Sequence, residues 1–310
     1  MGYKLAGYDL IGNCEIDSNV MKVYEYNHHP KYPFLMDIRD FLNKEKPEEL
    51  YNLDILDGSP PCSVFSSIGK REEGWNKEKQ FREGQKMQRL DDLFFWFIKL
   101  IDQLKPKISI AENVTGLLAG NAKGYVNEII KAYHEAGYTV QLFKLNAATM
   151  GVPQRRERVF FIAHRNDLNL PKLQLSFNEP PVLFKEVRSE HGKEFSDNGG
   201  AAQMRILVRK PSDKKISDIL QRNEGKNSSF GLAIISDNDV AQTLVSSGSV
   251  FRMYDGLKLS DEDIINIQTF PQDYEFLNQS PKYICGMSVP PVMMAQIASQ
   301  VYEQWLRRVA

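Results

Sequence analysis

Cysteine is scarce in this sequence. Cys14, Cys62 and Cys285 are the only three among 310 residues. Being odd in number and widely spaced, they argue against both a disulfide framework and a zinc site. An excess of either charge is missing as well: 39 Lys and Arg stand against 40 Asp and Glu. Affinity for nucleic acid therefore has to come from local basic patches and not from a global field. No apolar run approaches the ~20 residues of a membrane span. The N-terminus shows no basic segment followed by an apolar stretch, so neither a membrane partner nor a secretory signal is expected. Internal repeats and long low-complexity segments are absent. What remains is a chain of cytoplasmic type, with at least two buried, inert thiols. It is long enough for one large domain and a smaller lobe.

Strands alternate with helices in the first half. Tyr8 to Glu15 reads as a strand, and Asp17 or Ser18 can cap a helix running to about Asn27. Asp54 to Leu56 is a short apolar strand stopped by Gly58-Ser59-Pro60-Pro61. Across residues 86–104, Leu90, Leu93, Phe94, Phe97, Ile101 and Leu104 recur at helical spacing, and Pro106 follows the stop. Ile108 to Glu112 reads as a buried strand, Val126 to Ala136 as a helix, and Thr139 to Lys144 and Val159 to Ala163 as strands. This alternation predicts an open α/β sheet with crossover connections. Residues 166–245 are rich in Asn, Ser, Pro, Gly and charge, with short apolar runs at 206–208 and 232–235, which predicts a small irregular lobe. Regular character returns near Val250 and ends in a helix from about Pro291 to Arg307, with Pro290 and Pro291 suited to its first turn.

The run Asp57-Gly-Ser-Pro-Pro-Cys-Ser-Val-Phe-Ser66 sets a cysteine directly after a diproline, which holds the backbone extended and aims the next side chain. Methyltransferases that act on exocyclic amines carry an aromatic residue after a similar turn. An amine has a lone pair and needs no covalent help, whereas C5 of cytosine becomes nucleophilic only after a thiolate adds to C6. A cysteine at this point favours carbon methylation, although the same tripeptide also reads as a turn beside a packed thiol. Glu112-Asn113-Val114 closes an apolar strand at the end where α/β folds place functional groups. An acid there can hold cytosine at N3 and its amino group, and a buried Glu has a raised pKa that suits the task. Taken alone, it also reads as a helix cap. In Gly151-Val-Pro-Gln-Arg-Arg-Glu-Arg-Val159, the alternation of Gln154, Arg156 and Arg158 projects them from one face of an extended segment. Their alternative is a solvated basic edge.

In this order and at these spacings the pieces resemble the DNA (cytosine-5) methyltransferase family over nearly the whole chain. Arg252-x-x-Asp255-Gly-Leu-Lys-Leu-Ser-Asp-Glu-Asp with Ile267-Gln-Thr-Phe-Pro271 looks like the family's penultimate motif, and Gly286-Met-Ser-Val-Pro-Pro291 like its last. The resemblance implies a methyltransferase fold: a Rossmann-like doubly wound sheet, apparently lacking its first strand, with a small irregular target-recognition lobe. It divides the chain into a catalytic and cofactor-binding domain at 1–165, a recognition lobe at 166–245 and a return to the catalytic domain at 246–310. It implies Cys62 as the nucleophile, Glu112 on N3 and the amino group, Arg158 on the cytosine carbonyl, and Gln154 and Arg156 in support. A flipped-out base in double-stranded DNA is implied too, as is a thiol whose pKa nearby arginines depress.

S-adenosylmethionine is the implied methyl donor. Its contacts would be Glu15 on the ribose hydroxyls, Ile16 against the adenine, Asp37 and Ile38 at the adenine amino group, Pro60 and Leu93 nearby, and Ser288 and Val289 closing the site. Glu15 and Asp37 also read as ordinary helix-initiating acids. Two departures stand out. Met287 occupies a position where the family has Asn. No Phe-x-Gly-x-Gly-Gly loop, whose glycines let backbone approach the donor, precedes Gly2-Tyr-Lys-Leu-Ala-Gly7 or occurs elsewhere. A start site placed too late, a second chain supplying the missing segment, and a decayed remnant each account for that; the first is preferred, and the protein is otherwise expected to be a monomer. Arg205, Arg209, Lys210, Lys214 and Lys215 form a basic cluster that reads equally as a phosphate-contacting patch or a solvated face. Lys70, Arg71 and Lys77 follow the catalytic turn in a stretch suited to a loop closing over DNA. The alternatives carried beside a bacterial or phage DNA methyltransferase, tied to restriction-modification or DNA protection, are a tRNA cytosine-5 methyltransferase and a truncated or split subunit that binds DNA but is inactive alone. A thymidylate-synthase-like enzyme is a more distant reading.

Overall fold

In the computed structural model, the described residues are 1–61, 92–119, 122–194, 205–226, 232–246 and 249–309. The chain enters through a short helix, α1 (Gly2–Leu5), and strand β1 (Gly12–Glu15). Helix α2 (Ser18–His28) starts where expected, because the Asp17 carboxylate accepts hydrogen bonds from the Asn19 and Val20 amides. Strand β2 (Tyr32–Leu35) leads to α3 (Ile38–Asn43), capped in the same way by Asp37. Then come β3 (Ile55–Gly58), α4 (Leu93–Leu104), β4 (Ile108–Val114), α5 (Ala122–Glu135), β5 (Tyr138–Asn146), β6 (Gln154–Arg155) and β7 (Glu157–Arg165). Helix α4 stops at Lys105, which takes a left-handed conformation just before Pro106.

The strands form a four-stranded sheet in the order β3-β4-β7-β5 and a separate two-stranded sheet, β1-β2. β1 with β2 and β3 with β4 run parallel, while β7 is antiparallel to both its neighbours. Among the described residues no ladder joins β2 or β1 to the larger sheet, and a cleft lies between β1 and β3. Both faces of the larger sheet are covered, so its strands read as unbroken apolar runs. Ala111, Val159, Phe161 and Ala163 pack under α4 and α5, whereas Ile108, Ile110, Phe160 and Ile162 pack against the closing helix (Pro291–Gln304) and Trp305. The two-residue alternation of a strand accounts for that division.

Beyond β7 the elements are short: α6 (Phe184–Val187), α7 (Ile216–Glu224), β8 (Ala233–Ile235), β9 (Ala241–Gln242) and β10 (Val250–Arg252). β8 pairs with β10, and β9 with β6. Of the apolar run 206–208, Ile206 is buried while Leu207 and Val208 are exposed. Helix α8 (Asp261–Gln268) opens with a reciprocal cap: Asp263 N–H donates to Ser260 Oγ, and Ser260 N–H donates to the Asp263 carboxylate. α9 (Pro281–Met287) and α10 (Pro291–Gln304) end the fold. Arg252, fully buried, pairs with Asp263 at 3.3 Å and Asp255 at 3.0 Å, which explains the spacing of charges in its motif. No described helix is long and apolar enough to cross a membrane.

Candidate active site

β3 delivers the chain into the diproline turn. Pro60 and Pro61 line the cleft. Cys62 lies outside the described residues, as do Lys70, Arg71 and Lys77. The turn is tied to the neighbouring strand by Asn113, whose Nδ2 donates to the Pro60 carbonyl at 3.1 Å. Asn113 therefore fixes how far Glu112 stands from the turn. Its motif was legible in the sequence, but its own part was not.

Antiparallel pairing of β4 and β7 places Val114 opposite Arg158, so Arg158 is diagonal to Glu112 on the same sheet face. Their side chains meet, with Arg158 Nε 2.8 Å from Glu112 Oε1 and only 13% and 14% of their surfaces exposed. Burial pushes the Glu112 carboxyl above its ordinary value, outweighing the pull of Arg158 and Arg156 and a hydrogen bond from Ser59. The same burial lowers the Arg158 guanidinium against the opposing pull of Glu112. A carboxyl held this way keeps its proton to a higher pH than a solvated one. The guanidinium keeps further N–H groups for a second acceptor.

Gln154, Arg156 and Arg158 face inward while the Arg155 and Glu157 side chains face solvent, as alternation requires. Gln154 and Arg156 are fully buried and serve as connectors. Gln154 Nε2 donates to Gln268 Oε1 at 2.6 Å, and its Oε1 accepts from the Leu244 amide at 3.1 Å. Gln268 in turn donates to the Ser288 carbonyl at 2.8 Å. Arg156 donates to the carbonyls of Leu244 at 2.8 Å and Gly286 at 2.9 Å. The segment after β5 is in this way fastened to the loop at 244 and to the end of α9. Gln268 was quoted within its motif, but its role becomes visible only when the three segments meet.

The cleft between the two sheets has a volume of about 1110 Å³. Of the residues expected at a methyl donor, Glu15, Ile16, Asp37, Ile38, Pro60, Leu93 and Ser288 line it. Val289 does not, and packs against the core around Met293 and Ile297. Glu15 accepts from the Asp17 amide at 2.8 Å, and Asp37 from the Arg39 amide at 2.8 Å. Both acids thus organise the local backbone and also face the cavity. Met287 is half-exposed at its rim. Six acids line the cleft, namely Asp9, Glu15, Asp17, Asp37, Asp54 and Asp57, and no Lys, Arg or His does so among the described residues. That lining suits a cationic ligand and opposes a polyphosphate. An adenosyl group with a sulfonium therefore fits the residues present. Cys14 also borders the cleft; burial pushes its thiol up to about 12, and Cys285, wholly buried, is pushed up to about 12 as well.

The basic cluster divides. Arg209 gives its donors to the carbonyls of Met253 at 2.6 Å, Ile206 at 3.0 Å and Tyr254 at 3.0 Å, holding two loops together. Arg205 pairs with Glu224 at 3.4 Å and Lys214 with Asp239 at 3.5 Å. Lys210, Lys214 and Lys215 are exposed.

The family model of C-5 cytosine-specific DNA methylase matches residues 1–303. The chain is similar to the Type II methyltransferase M.FnuDI of Fusobacterium nucleatum, at 28% identity covering 98% of this chain and 90% of that protein. It is similar also to M.NgoPII of Neisseria gonorrhoeae, at 25% identity covering 97% and 91%. Among solved structures, a mutant of Spodoptera frugiperda DNMT2 superposes with a TM-score of 0.66 at 16% identity, covering 97% of this chain and 95% of that one.

Proposed function

The chain belongs to the C-5 cytosine-specific DNA methylase family, and from that premise we propose that it methylates C5 of a flipped-out cytosine in double-stranded DNA through a covalent bond from Cys62 to C6. The observation that carries this is the Glu112–Arg158 pair, set beside the Pro60–Pro61 turn by Asn113. One buried acid and one buried guanidinium at the mouth of the turn match the donor and acceptor pattern of cytosine: the amino group and N3 on one edge, the carbonyl beside them. The Cys62 thiolate adds to C6. Glu112 holds N3 and the amino group, so charge that builds on the ring is neutralised there. Arg158 holds the carbonyl. When bound, S-adenosylmethionine supplies an electrophilic methyl group. Loss of the C5 proton then expels the thiolate and restores Cys62. Reaching both faces of the ring requires the base to leave the stack.

The cleft holds the donor, with Glu15 on the ribose hydroxyls, Ile16 on the adenine, Asp37 and Ile38 at the adenine amino group, and Pro60, Leu93 and Ser288 around it. Arg156, Gln154 and Gln268 position Arg158 and the 286–288 segment relative to each other. Residues 1–165 and 246–310 form the catalytic part and 166–245 the recognition lobe. In that lobe the exposed Lys210, Lys214 and Lys215 meet phosphates, while Arg209 shapes the surface. The Type II relatives suggest a place in restriction-modification.

The test is labelled methyl incorporation into duplex DNA and into tRNA by the parent and by Cys62→Ser, with a duplex carrying 5-fluorocytosine as trap. The reading predicts incorporation into DNA, a covalent adduct with the parent, and neither with Cys62→Ser. Incorporation into tRNA alone, or undiminished turnover by Cys62→Ser, refutes it.

A further inference from the structure

We infer that Gln268 is a positioning residue whose side-chain amide aligns the methyl donor with the base, by setting the Ser288 wall of the donor cleft against the segment that carries Arg158. The assignment rests on the methyltransferase reading above and adds to it where the loss is felt: in turnover and not in binding. Gln268 is the last residue of α8, is fully buried and does not line the cleft. It can act on the reaction only through what it holds. Its Oε1 accepts from Gln154 Nε2 at 2.6 Å, and its Nε2 donates to the Ser288 carbonyl at 2.8 Å. Gln154 Oε1 accepts in turn from the Leu244 amide at 3.1 Å. The two side-chain amides form a directional relay from Leu244, through the arm of Arg158, to the donor wall.

Thr269 supplies a second, independent attachment of that wall. Its φ of 62° lies in the left-handed region that a β-branched residue avoids. Such strain persists only where the surrounding structure over-determines it. Here the Thr269 hydroxyl accepts from the Val292 amide at 3.2 Å. That amide lies in the first turn of α10, where backbone N–H groups lack helical partners, and Pro290 at the cap offers no side-chain acceptor. The segment from Ser288 to Val292 is thus hung at both ends from two consecutive residues, 268 and 269. Packing alone asks for neither contact, since an apolar side chain of similar length would fill the space of Gln268. A buried amide with its oxygen and nitrogen both engaged fixes direction and distance as well. Group transfer is sensitive to both, because a misplacement of about 1 Å lowers a rate by about a hundredfold.

The test measures methyl transfer to duplex DNA by the full chain at saturating donor and DNA. Beside it, affinity for S-adenosylhomocysteine is measured by calorimetry and affinity for duplex DNA by fluorescence anisotropy. Gln268→Met, close in shape but without either hydrogen bond, is expected to lower kcat by about ten- to a hundredfold and to leave each affinity within about threefold. Gln154→Met is expected to do the same, and the double variant to fall no further than the worse single, because both cut one relay. Thr269→Val, which keeps the shape and loses the hydroxyl, is expected to lower kcat by a smaller factor with the same split. All assays are run well below each variant's melting temperature. Should Gln268→Met fail to fold, Gln268→Glu carries the same expectation, since its carboxylate still accepts from Gln154 but cannot donate to Ser288. An unchanged kcat, a loss confined to affinity for S-adenosylhomocysteine or DNA, or kcat losses that add in the double variant each overturn the assignment alone. A parent chain that transfers no methyl group to duplex DNA overturns the methyltransferase reading and this assignment with it.

Discussion

Replacing Glu112 by Gln keeps the shape of the pair and removes one charge. Breaking a buried ion pair by removing one partner costs about 3–5 kcal/mol, because the other charge stays desolvated. Here the two side chains keep 13% and 14% of their surface in contact with solvent, and the amide oxygen can still accept from Arg158. The expected loss of stability is therefore about 1–3 kcal/mol. Arg158→Met should cost a similar amount, and the double variant less than the sum, with a coupling of roughly 1 kcal/mol or more in a urea double-mutant cycle. On activity the effect is larger. Loss of a group that manages a proton in the transition state lowers kcat by about 10²–10⁴-fold, measured as labelled methyl transfer at saturating donor and DNA. The pH profile supplies a sign. Burial raises the Glu112 carboxyl, so its protonated form is present at low pH and is lost as the pH climbs through the raised value. In the parent kcat should fall on that limb, and in Glu112→Gln the limb should be gone. A Glu112→Gln protein that keeps more than about a third of parental kcat, or a cycle with no coupling, refutes the role assigned to the pair.

Gly286→Ala should destabilise by about 1–3 kcal/mol in urea unfolding, because a Cβ there would lie 2.4 Å from the Ser246 amide nitrogen and 2.6 Å from the Val245 carbonyl carbon, backbone atoms that cannot give way. Arg252→Met removes a fully buried guanidinium from Asp263 and Asp255 and should cost about 3–5 kcal/mol by the same assay. Lys210→Ala and Lys215→Ala should each reduce the slope of log affinity for duplex DNA against log salt by about 1 without moving the melting temperature, whereas Arg209→Met should lower the melting temperature because it frees the loops at 206 and 253. Thiol titration at pH 8 should find Cys14 and Cys285 slow, since thiols pushed up to about 12 remain protonated there; fast labelling of either in the folded protein contradicts the raised pKa.

Much of the first half was legible because local signals coincided. Asp17 and Asp37 stand where a helix needs an oxygen acceptor, and both cap one. The apolar spacing of Leu93 to Leu104 and the Pro106 stop define α4, and the alternation of Gln154, Arg156 and Arg158 turns those side chains inward. Less was legible where a residue acts on distant backbone. Arg209 read equally as a phosphate contact or part of a solvated face, because a sequence shows charge but not the carbonyls of Met253 and Tyr254 that accept from its guanidinium. Val289 shares a motif with Ser288, yet adjacent residues at a helix start point different ways, and only Ser288 reaches the cleft.

The sequence by itself determined the alternation of strands and helices and the family, because caps, periodicity and motif spacing are local properties of the chain. Only the tertiary structure decided that Arg158 meets Glu112 diagonally across an antiparallel ladder, that Gln268 joins Gln154 to Ser288, and that Glu15, Asp37 and Ser288 line one cleft. These depend on strand register and on which faces pack together, and burial then sets the charge each group will carry.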